Sequence, residues 1–156
     1  IEGLNNWLPD FLIIGNDTKV LVEVKPFNTS SDFLGDYAAG TIKKINNSNC
    51  FKLSFDAVMI VGSTLNLGRA NCGESFIGGE IIRPVDVNEN NPDGYYSEGF
   101  VYTDHSGKIG ICDDTIWYQD VINNNHDGGY YLQDKSREKL EIYWNNAGSQ
   151  LQWRPQ

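Results

Sequence analysis

Three charged residues near the start of the chain have the types and spacing that could support catalysis. Asp10 opens one apolar run, and Glu23 and Lys25 close the next one. Residues two apart in a β-strand lie on the same face of the sheet. If the two runs form a hairpin with its turn centred on Asn16 and Asp17, the register places Asp10 directly opposite Glu23. Two carboxylates and a lysine would then meet on one face.

Carboxylates that oppose each other on neighbouring strands destabilise a sheet unless something offsets their repulsion. A divalent cation would do so. Asp10 and Glu23, with Cβ atoms about 5 Å apart and helped by a backbone carbonyl such as that of Val24, would form an oxygen-rich site suited to Mg²⁺ or Mn²⁺. Such an ion can polarise a phosphate and activate a water. Lys25 adds a cation that can position this water or stabilise charge developing on the phosphate.

The alternative is that these charges belong to the solvated face of a half-buried sheet, where charges two residues apart usually lie. Three features favour a site. The run from Val20 to Val24 is apolar on nearly both faces, so Glu23 and Lys25 interrupt a buried strand. Asp10 faces Glu23 by register. Pro9 cannot donate a ladder hydrogen bond and therefore suits a strand opening or a bulge beside Asp10.

The surrounding pattern predicts the elements that hold these residues. Residues 7 to 25 are predicted to form a hairpin, because two apolar, β-branched runs flank the turn cluster Gly-Asn-Asp-Thr. A helix is predicted from about Asp32 to Ile45, where apolar residues recur at helical spacing. Phe55 to Val61 is predicted to be a buried strand that Gly62 closes. The predicted order is β-β-α-β.

Residues 63 to 132 have a different texture, because they are rich in Gly, Asn, Asp and Tyr and contain only short apolar runs. A second hairpin is predicted there, with strands at Gly99 to Thr103 and Lys108 to Ile111. This segment is interpreted as a β-rich insertion. A last helix is predicted from about Ser136 to Asn146, with Gly148 as its stop.

The hairpin motifs resemble those of the PD-(D/E)XK nuclease superfamily, in which a β-hairpin carries Asp and Glu-x-Lys beside a divalent metal. Trp7-Leu8-Pro9-Asp10-Phe11 is similar to the aromatic-x-Pro-Asp-Phe form of many phage and mobile-element members. Glu23-Val24-Lys25-Pro26 resembles their second strand. The closing Trp144-Asn-Asn-Ala147 and Gln152-Trp153 resemble a C-terminal motif of phage-encoded relatives. The resemblance covers residues 2 to 62 and 136 to 154.

This resemblance implies an α/β fold for residues 1 to 156, with a restriction-endonuclease-like mixed sheet core, flanking helices and the β-rich insertion. It implies an endonuclease that needs Mg²⁺ or Mn²⁺ and hydrolyses phosphodiester bonds in DNA. Asp10 and Glu23 would be metal ligands, and Lys25 would be the catalytic lysine. Many members add an acidic residue before the hairpin, for which Glu2 is the candidate here.

Members of the superfamily also use polar or basic residues on the helix that follows the lysine. Lys43 and Lys44 are therefore candidates for contacts with phosphate. The ordinary alternative is that two lysines near a helix C-terminus are solvated and favoured by the helix dipole.

The composition limits these interpretations. A chain of 156 residues can bury a sizeable core, and a content of 40% hydrophobic and 21% charged residues excludes a disordered or collagen-like chain. The formal net charge is -9, which argues against holding DNA by general electrostatic attraction. Residues 80 to 127 contain ten acidic residues against only Arg83 and Lys108. We therefore expect the acidic insertion to turn away from DNA or to bind a basic protein partner.

The remaining global features concern location. Three cysteines are few and odd in number, which favours free thiols in a reducing compartment. The longest apolar run, Ala57 to Val61, is far too short to span a bilayer. We therefore expect a soluble cytoplasmic protein without a membrane partner, located in the host cytoplasm if the protein is phage-encoded.

Two other functions stay open. The chain could be a catalytically silent interaction module that keeps the nuclease fold within a larger phage or mobile-element protein. It could also be an aromatic-rich, sugar-binding β-domain, which would need Tyr and Trp rings along an exposed groove. A zinc site is disfavoured, because the residues that could form it lack the usual ligand spacing: Cys72, His105, Cys112 and His126.

Overall fold

One mixed sheet with a helix in its crossover forms the centre of the computed structural model. The structure describes residues 4–5, 7–26, 36–70, 73–90, 92–105, 107–112, 116–123, 125–129 and 136–150. The elements in chain order are β1 (Phe11–Ile14), β2 (Lys19–Lys25), α1 (Asp36–Ser48), a 3₁₀ turn (Cys50–Leu53), β3 (Ala57–Ala70), β4 (Gly73–Pro84), β5 (Tyr95–Tyr102), β6 (Lys108–Cys112), β7 (Ile116–Asp120), β8 (Asn125–Gly129) and α2 (Ser136–Gln150). The described part is thus a mixed α/β structure.

The eight described strands lie in the sheet in the same order as in the chain. β1 and β2 are antiparallel, whereas β2 and β3 are parallel. Parallel neighbours need a crossover connection, and α1 lies in the segment that supplies it here. Each later strand is antiparallel to the one before it. The predicted order β-β-α-β is confirmed for the first four elements.

The register of the first hairpin is the one that the turn position predicts. Phe11 pairs with Val22 and Leu12 pairs with Leu21. The observed pairing ends at Phe11 and Val22, one residue short of the predicted pair of Asp10 and Glu23, which stays a prediction. The second predicted hairpin is also present, with Phe100 opposite Ile111.

The prediction that Gly62 closes the third strand is wrong. β3 continues to Ala70 and forms a long hairpin with β4, with an irregularity in register between Val61 and Asn66. Gly62 is buried in the sheet beside Lys25 of β2. A glycine weakens a strand but does not end it when ladder partners are available on both sides, and β2 and β4 provide them here.

Both helices also differ from their predicted bounds. α1 continues past Ile45 to Ser48, while the predicted beginning at Asp32 lies outside the described residues. α2 begins at Ser136 as predicted but passes through Gly148 and ends at Gln150. Glycine inside a helix costs about 1 kcal/mol relative to alanine, which does not by itself end a helix. No helix in the described ranges is long and apolar enough to cross a membrane.

Two clusters of apolar side chains bury both faces of the sheet around β2, β3 and β4. Leu21 of β2 belongs to the first core, whereas its neighbours Val20 and Val22 belong to the second. This alternation explains why β2 is apolar on both faces. The first core contains Leu4, Trp7, Leu21, Ile45, Cys50, Phe55, Val58, Ile60 and Ile82. The second core contains Val20, Val22, Ala57, Met59, Ile81, Phe100, Ile109, Ile111 and Val121.

The sheet curls so that its first and last turns meet. Asn16 in the β1–β2 turn donates a side-chain hydrogen bond of 3.1 Å to Asn123 in the β7–β8 turn. Gly15 approaches so closely that a Cβ atom there would lie 1.9 Å from the carbonyl oxygen of Ile122. Only glycine fits this contact without moving one of the two turns.

Candidate functional site

Glu23 is a buried carboxylate near the end of β2. Its exposed fraction is 7%, and it lies on the face of β2 that carries Leu21 of the first core. The indole Nε1 of Trp7 donates a hydrogen bond of 3.2 Å to Glu23 Oε2, and Lys25 Nζ forms an ion pair with Glu23 Oε1. Each carboxylate oxygen thus has a donor. Burying a carboxylate is costly unless it is paired and hydrogen-bonded, and these two donors meet that requirement.

Lys25 follows two residues later on the same face, at the last position of β2. Its side chain is 21% exposed, against 9% for the side chain of Glu23. Gly62 lies beside it on β3 and contributes no side chain. The last residues of β2 therefore carry a buried carboxylate and a partly exposed ammonium group, and the ammonium group is accessible from solvent.

Asp10 is exposed and lies just before β1. Its Oδ2 accepts a hydrogen bond of 2.8 Å from the backbone N–H of Val24. The carboxylate thereby continues the hairpin by one bond beyond the last paired residue of β1. This hydrogen bond uses only one of the two carboxylate oxygens, so the Asp10 carboxylate keeps capacity for another ligand.

The carbonyl of Val24 lies at the same edge. In an antiparallel ladder, the N–H and C=O of one residue point toward the same neighbouring strand. The Val24 N–H points toward Asp10, so its carbonyl points to that side as well. If the register of β1 and β2 is continued by two residues, Val24 faces Pro9, which has no N–H to give. On this extension, the predicted backbone ligand would lie next to the Asp10 carboxylate without a ladder donor.

These groups fit a hard divalent cation. Mg²⁺ binds oxygen ligands and commonly uses only one or two carboxylates, with water and substrate phosphate completing its shell. Asp10, Glu23 and the Val24 carbonyl supply oxygen donors around a single backbone segment. Among the described residues, no group of three or more His, Cys, Asp and Glu side chains could hold a metal ion. The predicted donors in the described part of the chain are two carboxylates and one carbonyl, and Glu2 lies outside the described residues.

Lys43 and Lys44 are exposed on α1, which packs on the first core through Ile42 and Ile45. Within the described ranges, no hydrogen bond or ion pair joins either lysine to Asp10, Glu23 or Lys25. They face solvent, as residues next to the packed stripe of an amphipathic helix do. Their proposed contact with phosphate stays a prediction.

Two residues near the site were not recognised from sequence. The sequence motif includes Trp7 but does not predict its indole contact with Glu23. This contact depends on how the segment before β1 folds back on β2. Glu80 was counted only among the acids of the insertion. It is 7% exposed and pairs with Ile60, which in turn pairs with Glu23. The position of Glu80 inside the apolar run Phe76 to Ile82 was the signal that could have revealed it.

Glu80 differs from Glu23 in its partners. Burial raises the pKa of the Glu80 carboxyl, and a hydrogen bond of 3.2 Å from the Ser97 hydroxyl offsets only part of this shift. The backbones of Glu23 and Glu80 are two strand spacings apart, about 10 Å, and Ile60 of β3 lies between them. Glu80 thus shares the row of Glu23 across the sheet without joining its ion pair.

A second charged group lies at the β5–β6 turn. Burial tends to raise the pKa of Asp104, but Lys139 of α2, at 3.1 Å, and the adjacent His105 outweigh it and hold the pKa below its usual value. This group joins α2 to the sheet. Of the four residues considered for a zinc site, Cys72 and the side chains of Cys112 and His126 lie outside the described residues.

The described aromatic residues of the insertion mostly fill the core. Tyr95 packs against the first core. Tyr102 packs against the second core, with the rings of Phe100 and Trp144 each centred 6.0 Å away, and burial raises the pKa of Tyr102 to about 12. These rings are therefore packed in the structure and do not lie along an exposed groove, whereas Tyr96 is 47% exposed. Four more aromatic residues of this segment lie outside the described side chains: Trp117, Tyr118, Tyr130 and Tyr131.

A cleft of about 530 Å³ lies elsewhere, where the end of α1 and the 3₁₀ turn face the β4–β5 loop. Its lining includes Cys50, Lys52, Asp93 and Tyr95. Burial raises the pKa of the Cys50 thiol, although hydrogen bonding with Ser48 opposes this shift. A thiol whose pKa is raised is a poor nucleophile. Cys50 is therefore a poor candidate for a catalytic residue in this cleft.

No protein-family model matches the chain, and neither a curated protein sequence nor a solved structure matches it significantly. The geometry of the hairpin therefore carries the functional interpretation.

Proposed function

We propose that this chain is a Mg²⁺-dependent endonuclease with a restriction-endonuclease-like fold, which hydrolyses phosphodiester bonds in DNA. The observation that supports the proposal is that two contacts lie side by side at one hairpin end: the hydrogen bond from the Val24 N–H to the Asp10 carboxylate and the ion pair of Glu23 with Lys25. The order β-β-α-β, with β2 and β3 parallel, is consistent with the fold that the sequence resemblance implies.

The ligand roles follow from the donors at the hairpin end. Asp10, Glu23 and the Val24 carbonyl would hold Mg²⁺, and Mn²⁺ would fit the same oxygen set. When bound, the ion supplies Lewis acidity that polarises the phosphate and lowers the pKa of water. The Val24 N–H holds the Asp10 carboxylate in place, so this ligand is oriented before the cation arrives.

Lys25 would act on the attacking water and on the phosphate. Its ammonium group is held beside the proposed ligand Glu23 and is partly exposed. From this position it can hydrogen-bond the attacking water and stabilise the negative charge that develops on the phosphate oxygens. One water is consumed per bond: its oxygen adds to phosphorus, the bond to the leaving oxygen breaks, and that oxygen takes a proton. The products are a phosphomonoester and a hydroxyl group.

Substrate affinity must come from sources other than net charge. The acidic excess lies in residues 80 to 127, whereas the remainder of the chain has eleven acidic and ten basic residues. Two of those eleven acids are Asp10 and Glu23, whose charge a bound cation would offset. We propose that DNA approaches the hairpin end and that the acidic strands turn away from it or bind a basic protein partner.

The test is a cleavage assay on plasmid and oligonucleotide DNA with Mg²⁺ and with Mn²⁺. The wild type is compared with Lys25→Ala and with Lys19→Ala, a matched control because Lys19 is the exposed first residue of the same strand. We expect Lys25→Ala to lower kcat by roughly 10²- to 10³-fold and Lys19→Ala to leave it nearly unchanged. Undiminished cleavage by Lys25→Ala would contradict the assignment.

The second candidate is the catalytically silent interaction module. The observation that favours it is that both oxygens of Glu23 already have protein donors, Trp7 and Lys25. In that case the ion pair only stabilises the hairpin. Absence of cleavage in both metals, with a folded wild-type protein that binds no Mn²⁺, would favour this candidate.

A further inference from the structure

We infer that Trp7 is a positioning residue, whose indole N–H orients the Glu23 carboxylate for the cation; this inference rests on the proposed function. The Trp7 Nε1 lies 3.2 Å from Glu23 Oε2, and both residues are almost fully buried. A hydrogen bond between a neutral donor and a buried carboxylate is stronger than one between two neutral groups.

The geometry shows what this bond does. A glutamate side chain has three rotatable bonds, and a single ion pair with the mobile ammonium of Lys25 leaves the carboxylate plane free to turn. The indole N–H takes Oε2, so Oε1 is turned toward Lys25. Two donors on two different oxygens fix both the position and the rotation of the group. Catalytic groups need such support because small losses of orientation are costly.

Trp7 is itself firmly held. Its backbone N–H donates a hydrogen bond of 2.9 Å to the carbonyl of Leu4, and the side chains of both residues belong to the first core. Residues 7 to 10 therefore do two things at once. They carry the indole that donates a hydrogen bond to Glu23 and the Asp10 carboxylate that accepts one from the Val24 backbone.

Phenylalanine would fill much of the same apolar space but has no N–H to donate. The choice of tryptophan at position 7 is thus explained by its donor and not by its bulk alone. Partners that orient metal ligands typically change metal affinity by 10- to 100-fold when they are removed. Trp7 should have an effect of this size.

The experiment measures Mn²⁺ affinity by electron paramagnetic resonance of the free ion, together with DNA cleavage. The variants are Trp7→Phe, Glu23→Gln and, as a matched control, Trp144→Phe, which removes an indole whose ring contacts Tyr102. Thermal unfolding shows that each variant is folded at the assay temperature. We expect Trp7→Phe to weaken Mn²⁺ binding at least tenfold and to raise the Mg²⁺ concentration needed for half-maximal cleavage, whereas Trp144→Phe keeps wild-type affinity.

The outcomes separate this inference from the proposed function. If the wild type and Trp7→Phe bind Mn²⁺ equally well, while Glu23→Gln binds poorly, Trp7 is only a core residue and the metal site stands. If the wild type does not bind Mn²⁺ at millimolar concentration, or Glu23→Gln binds as tightly as the wild type, the proposed metal site fails and the positioning role fails with it. Weakened Mn²⁺ binding by both Glu23→Gln and the folded Trp7→Phe variant, with wild-type affinity in Trp144→Phe, supports the positioning role.

Discussion

Glu23 on β2 and Glu80 on β4 are two equally buried carboxylates that lie in one row across the same face of the sheet, with Ile60 between them. Glu23 is paired with a lysine and an indole N–H. Glu80 has a hydrogen bond only from the hydroxyl of Ser97, and burial raises its pKa. The two carboxylates are thus equally buried but have different partners, and desolvation without a cationic partner raises the pKa of Glu80.

This difference in partners distinguishes Glu23, a candidate functional residue, from Glu80, a buried acid in an otherwise apolar strand. At the end of β2, Glu23 forms an ion pair with Lys25, and the N–H of the intervening residue Val24 binds the Asp10 carboxylate. In the middle of β4, a neutral hydroxyl gives Glu80 no charge compensation. A metal ligand must be deprotonated when the cation binds, so the raised pKa of Glu80 argues against Glu80 as a ligand.

The largest expected effect concerns activity. Glu23→Gln should lower the kcat/KM of DNA cleavage by roughly 10³-fold, because it removes a charged ligand of the proposed cation. Glu80→Gln should leave kcat/KM within about threefold of the wild-type value, since the change is isosteric and lies two strands away. Single-turnover cleavage of a labelled oligonucleotide measures both. Equal losses in the two variants would place Glu80 in the site and remove the distinction drawn between the two acids.

The next effect concerns stability. Lys25→Met removes the only ammonium group bonded to Glu23 among the described contacts. We expect the free energy of unfolding to fall by about 2 kcal/mol, less than for a fully buried pair because Lys25 is partly exposed. Ser97→Ala should cost only about 1 kcal/mol, because it removes a hydrogen bond from a neutral hydroxyl. Urea unfolding at neutral pH compares the two, and a larger loss for Ser97→Ala would reverse the ranking.

The smallest effect is a dependence of stability on pH. The pKa of Glu80 is raised in the folded state above its ordinary value of 4.5. The folded protein therefore holds this proton more tightly than the unfolded chain does, and the stability contributed by the protonated group is lost as the pH rises through the folded pKa. Glu80→Gln removes this titration.

We thus expect the stability of Glu80→Gln relative to the wild type to increase as the pH rises from 4.5. Thermal unfolding of both proteins at a series of pH values measures the difference. A difference that stays constant over the series would contradict the raised pKa of Glu80. The control Ser97→Ala, which keeps the carboxyl group, should retain the pH dependence.

Local pattern determined much of the first hairpin. The position of the turn at Asn16 and Asp17 was enough to predict the register in which Phe11 pairs with Val22, because the turn fixes the register of a hairpin. The order of the first four elements and the hairpin of β5 and β6 were predicted for the same reason. These features depend on residues close together in the chain.

Tertiary structure alone decided the features that need distant partners. β3 passes through Gly62 because β2 and β4 supply its hydrogen bonds, and the sheet curls until Gly15 meets Ile122. The donor for Glu23 from Trp7 and the burial of Glu80 beside Ile60 arise from packing across strands. Local periodicity specifies which face a side chain occupies, but the partner on that face is set by how the strands assemble.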